Sequence, residues 1–308
     1  MRSEYAAIFR DRLGFAALAA LLMPVWHQAS FAIATGFCAV ISAVLLAWLV
    51  REAGLPRATA IVALALLFAV RGATWLSRVG SEAPALVGIV GTAVGLVYWS
   101  RAGWRSSWWI VAASLAWLMA VRPSSAVLLS AVVLLVYGVS TLRRRGIENA
   151  RITLAAGATL LVELVVMHML HSPGLTETMR DVVTHHFALP VADSRVNADF
   201  LRIERRTMGK LAVRMLQHPL VPLLACLGAW RIMRVPALRL PATCVIALAV
   251  LSAVAHPVFS EIPRLVSPAT SVEAIGLALL VTSGASRISG RLTGRIAFHR
   301  RASPSASA

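Results

Sequence analysis

Residues 108–141, WWIVAASLAWLMAVRPSSAVLLSAVVLLVYGVST, decide the fold class. Arg122 is the only charged residue in the stretch, and apolar side chains cover every face of any helix drawn through it. Such all-round apolarity belongs to a helix in lipid or in a very large core. Pro after a helix end forbids simple continuation, so Arg122-Pro123 reads as a tight hairpin between two short spans, 108–121 and 124–141.

Runs of the same kind recur on both sides, at 31–50, 58–76, 85–100, 152–171, 216–233, 240–259 and 265–284. A further run, 13–30, is interrupted by Pro24 and carries His27, which leaves a tenth span or a helix lying in the interface as alternatives. The expected fold is therefore all-α, a polytopic transmembrane helix bundle of about nine or ten spans with a small outer helical loop subdomain. Its units are an N-terminal interfacial or membrane helix (1–30), an N-terminal transmembrane bundle (31–171), an outer helical loop (172–215), C-terminal transmembrane helices (216–284) and a basic, disordered tail (285–308).

Composition agrees with this reading. Hydrophobic residues make up 58% and charged residues 14% of the 308, where soluble domains carry about 25% charged, and the mean hydropathy is +0.76. The net charge of +17, from 30 Lys+Arg against 13 Asp+Glu, would point to nucleic acid in a soluble chain. Here the arginines occupy the gaps between apolar runs, the pattern of loops facing an anionic leaflet, and nucleic-acid binding is excluded as a partner class. Cys38, Cys226 and Cys244 all lie within apolar runs and share no metal-ligand spacing, so neither a disulfide framework nor a zinc site follows.

The arginines also set an orientation. One side collects Arg51, Arg57, Arg101, Arg105, Arg143, Arg144, Arg145, Arg151, Arg231, Arg234, Arg239 and the tail's Arg287, Arg291, Arg295, Arg300 and Arg301. The short loops opposite hold only Arg71, Arg78, Arg122 and Arg264. By the positive-inside rule the first side, with the C-terminus, is cytoplasmic. Glu82, Glu177, Asp181, Asp193, Asp199, Glu204 and Glu261 then fall outside, so chemistry needing carboxylates faces outward.

Three short outer loops carry ionisable residues beside helix ends: the loop from Arg71 to Glu82, Arg122, and the loop from His256 through Glu261 to Arg264. Closing separate helices of one bundle, they converge on one cavity at the height of a lipid phosphate. Arginine suits such a ligand because its planar fork holds phosphate in a bidentate way; snorkelling to headgroups or capping of carbonyls is the alternative. Glu82 stands just before Pro84, where a carboxylate is favoured by the dipole of the next helix, as a helix cap or as a chemical group. Glu163 and Glu273 lie within spans, and Glu163 with His168, His171, His185 and His186 sketches a proton relay or metal site. Histidines that are satisfied or face solvent are the plainer reading. Residues 199–216 form a basic amphipathic helix, able to rest on anionic headgroups, to cover a site, or simply to be solvated.

Several segments together resemble a family. The run from Ala113 to Ser125, ending Val121-Arg122-Pro123-Ser124-Ser125 before an apolar helix, resembles the "RPs" signature of polytopic glycosyltransferases of the GT-C fold. Glu261-Ile262-Pro263-Arg264-Leu265-Val266-Ser267-Pro268 is similar to their E-x-R segment, Ser81-Glu82-Ala83-Pro84 to their second outer loop, and residues 49–58 to an inner turn. The similarity covers most of 31–284 in the family's order. It implies transfer of a sugar from a polyprenyl-phosphate donor to an acceptor on the outer face, in cell-envelope glycan or glycolipid synthesis at a bacterial plasma membrane. It also implies a carboxylate base, with arginines or a divalent metal ion stabilising the departing phosphate. Glu82 and Glu4 take the catalytic role, and Arg71, Arg122, His256, Glu261 and Arg264 the lipid-phosphate side. Such enzymes carry an acidic motif after a first span; this sequence has Glu4-Tyr5 with no full span before it, and the expectation is a chain lacking that helix and motif, or an inactive relative.

Two other classes compete. A secondary transporter would use Glu163, Glu273 and His168 as a coupling path, though neither paired halves nor broken midplane helices are visible. A non-catalytic membrane subunit of envelope polysaccharide assembly would need no site at all.

Overall fold

The computed structural model describes residues 13–69, 81–144, 146–170, 172, 174–184 and 191–301, the side chains of 104, 144, 175 and 285–301 excepted. It is 90% helix, with no strand among the described residues. In chain order the helices are α1 (Leu13–Trp26), α2 (Ser30–Glu52), α3 (Arg57–Ala69), α4 (Glu82–Ala102), α5 (Trp104–Val121), α6 (Pro123–Arg144) and α7 (Ile147–Met169). They continue as α8 (Leu175–Val183), α9 (Asp193–Gln217), α10 (Leu220–Met233), α11 (Pro236–Ala255), α12 (Ile262–Leu265) and α13 (Ser267–Arg301).

Among the described residues, five stretches are long and apolar enough to cross a membrane: Leu13–Glu52, Glu82–Ala102, Pro123–Arg143, Ile147–Met169 and Pro236–Ala255. A sixth arises if α9 and α10, which meet at 94°, count as one. Hydropathy gives nine or ten runs; of these, 216–233 contains the bend at His218-Pro219, which leaves α10 14 residues, and 58–76 is described only as far as residue 69, within α3. The hairpin predicted at Arg122-Pro123 is present: Arg122 closes α5 with its N–H on the Leu118 carbonyl at 2.7 Å, and Pro123 opens α6. At the other end of the chain α13 is described as helix through Arg301, and the polar end of the expected tail, 302–308, lies outside the described residues.

The stretch 13–52 is not one rod. His27 takes φ 45° in a short 3-10 turn between α1 and α2, and the Phe15 and Phe31 rings meet edge-on at 5.7 Å. In a straight helix these residues would stand about 24 Å apart, so the chain bends sharply there.

Buried small residues set the packing. α4 is the most enclosed of the spans, and its Gly88, Gly91 and Gly95 present bare backbone to α5; a Cβ at Gly88 would stand 2.8 Å from Leu118 Cβ. The same device joins α10 to α13, where a Cβ at Gly228 would lie 2.6 Å from the Glu273 carbonyl oxygen. Lipid tails supply no hydrophobic drive between helices, so close backbone approach and dispersion hold such pairs.

At the end of the bundle that holds Arg101, polar contacts pin the chain within helices and tie α2 and α7 to α4. Gly54, at φ 73°, ends α2 in the left-handed conformation, and the Leu55 N–H reaches back to the Val50 carbonyl at 3.1 Å. Trp48 Nε1 donates to Glu52 at 3.1 Å, and Arg101 contacts the same carboxylate at 3.6 Å. Trp99 Nε1 donates to Glu148 at 2.9 Å, which also takes Arg151 at 2.7 Å.

Candidate functional site

The opposite end is built differently. α4 begins at Glu82, and its first turn is tied to α5 by Trp117 Nε1 donating to the Pro84 carbonyl at 2.8 Å. α11 closes with the His256 N–H on Ser252 O at 3.1 Å, and the loop that follows folds through Val258 N–H on His256 O and Glu261 N–H on Val258 O, both 2.8 Å. Pro263 lies in the first turn of α12, which carries Arg264. The small layer α8–α9 is docked on this loop: Val182, Val183, Val196 and Phe200 form a core of their own against Val258, and Thr207 Oγ1 donates to Pro257 O at 2.8 Å.

Arg264 joins these pieces. Its Nε lies 3.3 Å from Glu82 Oε1 and its Nη2 2.8 Å from Glu261 Oε2. The Glu82 side chain is only 8% exposed, so this pair is held in a largely dry setting. Arg264 Nε and Glu261 Oε2 are buried without an aligned hydrogen bond; the contact is one of charge, and hydrogen-bonding capacity is left over. His256 is held below its ordinary pKa of 6.5, first by burial, then by the Arg264 and Arg122 charges, against the pull of Asp181 and Glu261. The imidazole is therefore neutral near pH 7, able to accept a proton, with an acid beside it to steady the charged form.

Of the residues expected at the site, the structure thus gathers Glu82, Glu261 and Arg264 in direct contact and places His256 and Arg122 within their electrostatic reach. Glu4 and Arg71 lie outside the described residues, as do His171, His185 and His186. Sequence reasoning missed Asp181, which is 6% exposed on α8. The available signal was an acid directly before Val182-Val183 in a short amphipathic helix; only the docking of α8 on Val258, which brings the Asp181 charge to bear on His256, gives it meaning. The Glu163–His168 relay is not assembled: Glu163 is buried against α6 while His168 is exposed. Among the described residues, no three His, Cys, Asp or Glu side chains are grouped so as to hold a metal ion.

Glu82 is not a simple cap. Ser81 makes no side-chain capping bond at the start of α4, and the Glu82 carboxylate turns to Arg264 instead. Among the described residues, Arg264 contacts Glu82 and Glu261, and the charges of Asp181, Arg264, Glu261 and Arg122 all act on His256. No protein-family description, curated protein or solved structure matches this chain.

Proposed function

We propose that this is a multi-pass membrane glycosyltransferase that moves a sugar from a polyprenyl-phosphate donor to an acceptor hydroxyl on the outer face, at a bacterial plasma membrane with the C-terminus cytoplasmic. The observation that carries the reading is the convergence of Glu82, Arg122, Asp181, His256, Glu261 and Arg264 from five separate segments on one end of an apolar bundle. In this scheme Glu82 takes the proton from the acceptor hydroxyl, and the acceptor oxygen bonds to the anomeric carbon. The bond from that carbon to the phosphate oxygen breaks, and polyprenyl phosphate leaves with the electron pair, its charge met by Arg122. Arg264 fixes Glu82 and Glu261, and neutral His256 is a second proton acceptor.

The test is turnover of a labelled polyprenyl-phosphate sugar by the reconstituted full chain and by Glu82→Gln, with melting temperatures measured on both. Transfer that disappears in a folded Glu82→Gln supports the reading. Retained transfer with a lowered melting temperature assigns Glu82 to holding α4 against α12. Labelling of a Ser303→Cys variant from outside intact cells would overturn the orientation.

A second reading, a secondary transporter, is favoured by one feature: Glu163, within a span, is only 4% exposed, beside the Ser130 hydroxyl but without an aligned hydrogen bond among the described residues. Proton-coupled uptake lost in Glu163→Gln, with glycosyl transfer absent from the unmodified chain, would select it.

A further inference from the structure

Beyond the Glu82 cluster, an open cleft of about 630 Å³ runs along the second half of α9. Arg206, Lys210 and Arg214 line it at four-residue steps, His218 stands at its end, and Phe259 from the 256–261 loop closes the far wall. The Arg214 guanidinium carbon lies 5.7 Å from the Phe259 ring centroid, which holds that cation in place. No carboxylate lines the cleft. Two other cations of this layer are paired, Arg180 with Asp193 at 3.3 Å and Arg202 with Asp199 at 3.0 Å. Arg206, Lys210 and Arg214 have no carboxylate partner among the described residues. Gly209 adds a bare floor, since a Cβ there would meet nothing within 4 Å.

We infer that this cleft is a docking site for the phosphate headgroup of an anionic membrane lipid. Three unneutralised cations around a cavity call for an anion, and guanidinium forks recognise phosphate oxygens. Its position decides between a lipid and a soluble phosphate. The cleft opens where α9 turns through 94° into apolar α10, and beside it Val213, Leu216, Leu220 and Val221 are exposed. Acyl chains would cover these side chains while the headgroup enters between the cations; a free phosphate would leave them bare. The site does not depend on the glycosyltransferase reading, because it shares only the 256–261 loop with the Glu82 cluster.

The experiment titrates the full-length protein in detergent with phosphatidylglycerol and with phosphatidylcholine of matched chains, reading lipid-bound species by native mass spectrometry. Phosphatidylglycerol is expected to bind about 10²-fold more tightly than phosphatidylcholine, as three surface cations would give. Arg206→Gln/Lys210→Gln/Arg214→Gln is expected to abolish that preference. Gly209→Phe keeps every charge but fills the floor, and it should lose most of the binding as well. Equal binding of the two lipids overturns the inference, and so does full phosphatidylglycerol binding by Gly209→Phe, which would mean diffuse surface attraction. Displacement of bound phosphatidylglycerol by about 1 mM inorganic phosphate would also overturn it, by making the occupant a soluble anion. Each substituted side chain is exposed or faces open space, so unchanged lipid-free melting temperatures are the expected control.

Discussion

The two ends of the bundle use the same residue types to opposite effect. At the Arg101 end, Glu52 and Glu148 each hold one tryptophan indole and one arginine, one partner within four residues on the same helix and the other on α4, so each contact is a simple one-to-one tie. The Arg101 side chain is 53% exposed. At the Glu82 end, carboxylates, guanidiniums and an imidazole arrive from α4, α5, α8, α11 and α12, in a drier setting, and the central pair leaves buried polar atoms without aligned bonds. Ion pairs exposed at a surface are fasteners of small worth, even where they tie separate helices. A cluster assembled from distant segments, partly dry and incompletely satisfied, costs stability to keep, and such places are where binding and proton transfer are found.

The largest difference should appear in chemistry. Glu82→Gln should lower turnover of a polyprenyl-phosphate sugar by about 10²–10⁴-fold, the usual contribution of a general base, whereas Glu52→Gln at the other end should leave it within about twofold. An equal fall in both variants, with both melting temperatures reduced, would erase the distinction between the ends. His256 sharpens it next. Its folded pKa lies below 6.5, so the unfolded chain takes up the proton first, and stability should be lost as pH falls through about 6.5 and retained above it. Melting temperature measured across pH 5–8 should show this slope in the parent chain and a flatter one in His256→Gln.

Smaller effects concern packing of charge. Arg264→Gln leaves Glu82 and Glu261 facing each other without their shared cation, and should cost about 1–3 kcal/mol in denaturation assays, discounted because Arg264 itself is 31% exposed. Arg101→Gln should cost about 0–1 kcal/mol. Comparable in size, Trp99→Phe removes one indole donor from Glu148 and should cost about 1 kcal/mol, with turnover unchanged.

Much of this was legible without coordinates. The hairpin at Arg122-Pro123 follows from proline's lack of an N–H and its clash with the preceding turn, and it is present. That Glu82, Glu261 and Arg264 share one end of the molecule followed from counting loops between apolar runs. Asp181 was not legible, because its role depends on α8 docking over the 256–261 loop through Val182, Val183 and Val258. The 94° bend between α9 and α10 was not legible either, because a hydropathy window does not register a change of helix direction. The cation stripe of α9 was visible as basic amphipathicity, yet the cleft exists only because Phe259, 45 residues beyond Arg214, folds back against it.

Composition and periodicity alone determined that the chain is helical and apolar, since the backbone's need for internal hydrogen bonds in an oily setting leaves helices as the solution for such runs. Proline and glycine positions determined where several helices stop. Which charges meet was decided by tertiary structure: that Arg264 bridges Glu82 and Glu261, that burial keeps His256 neutral, and that Arg206, Lys210 and Arg214 face a cavity. The reason is that electrostatic and packing interactions depend on separation and on the surrounding dielectric, and neither is a property of order along the chain.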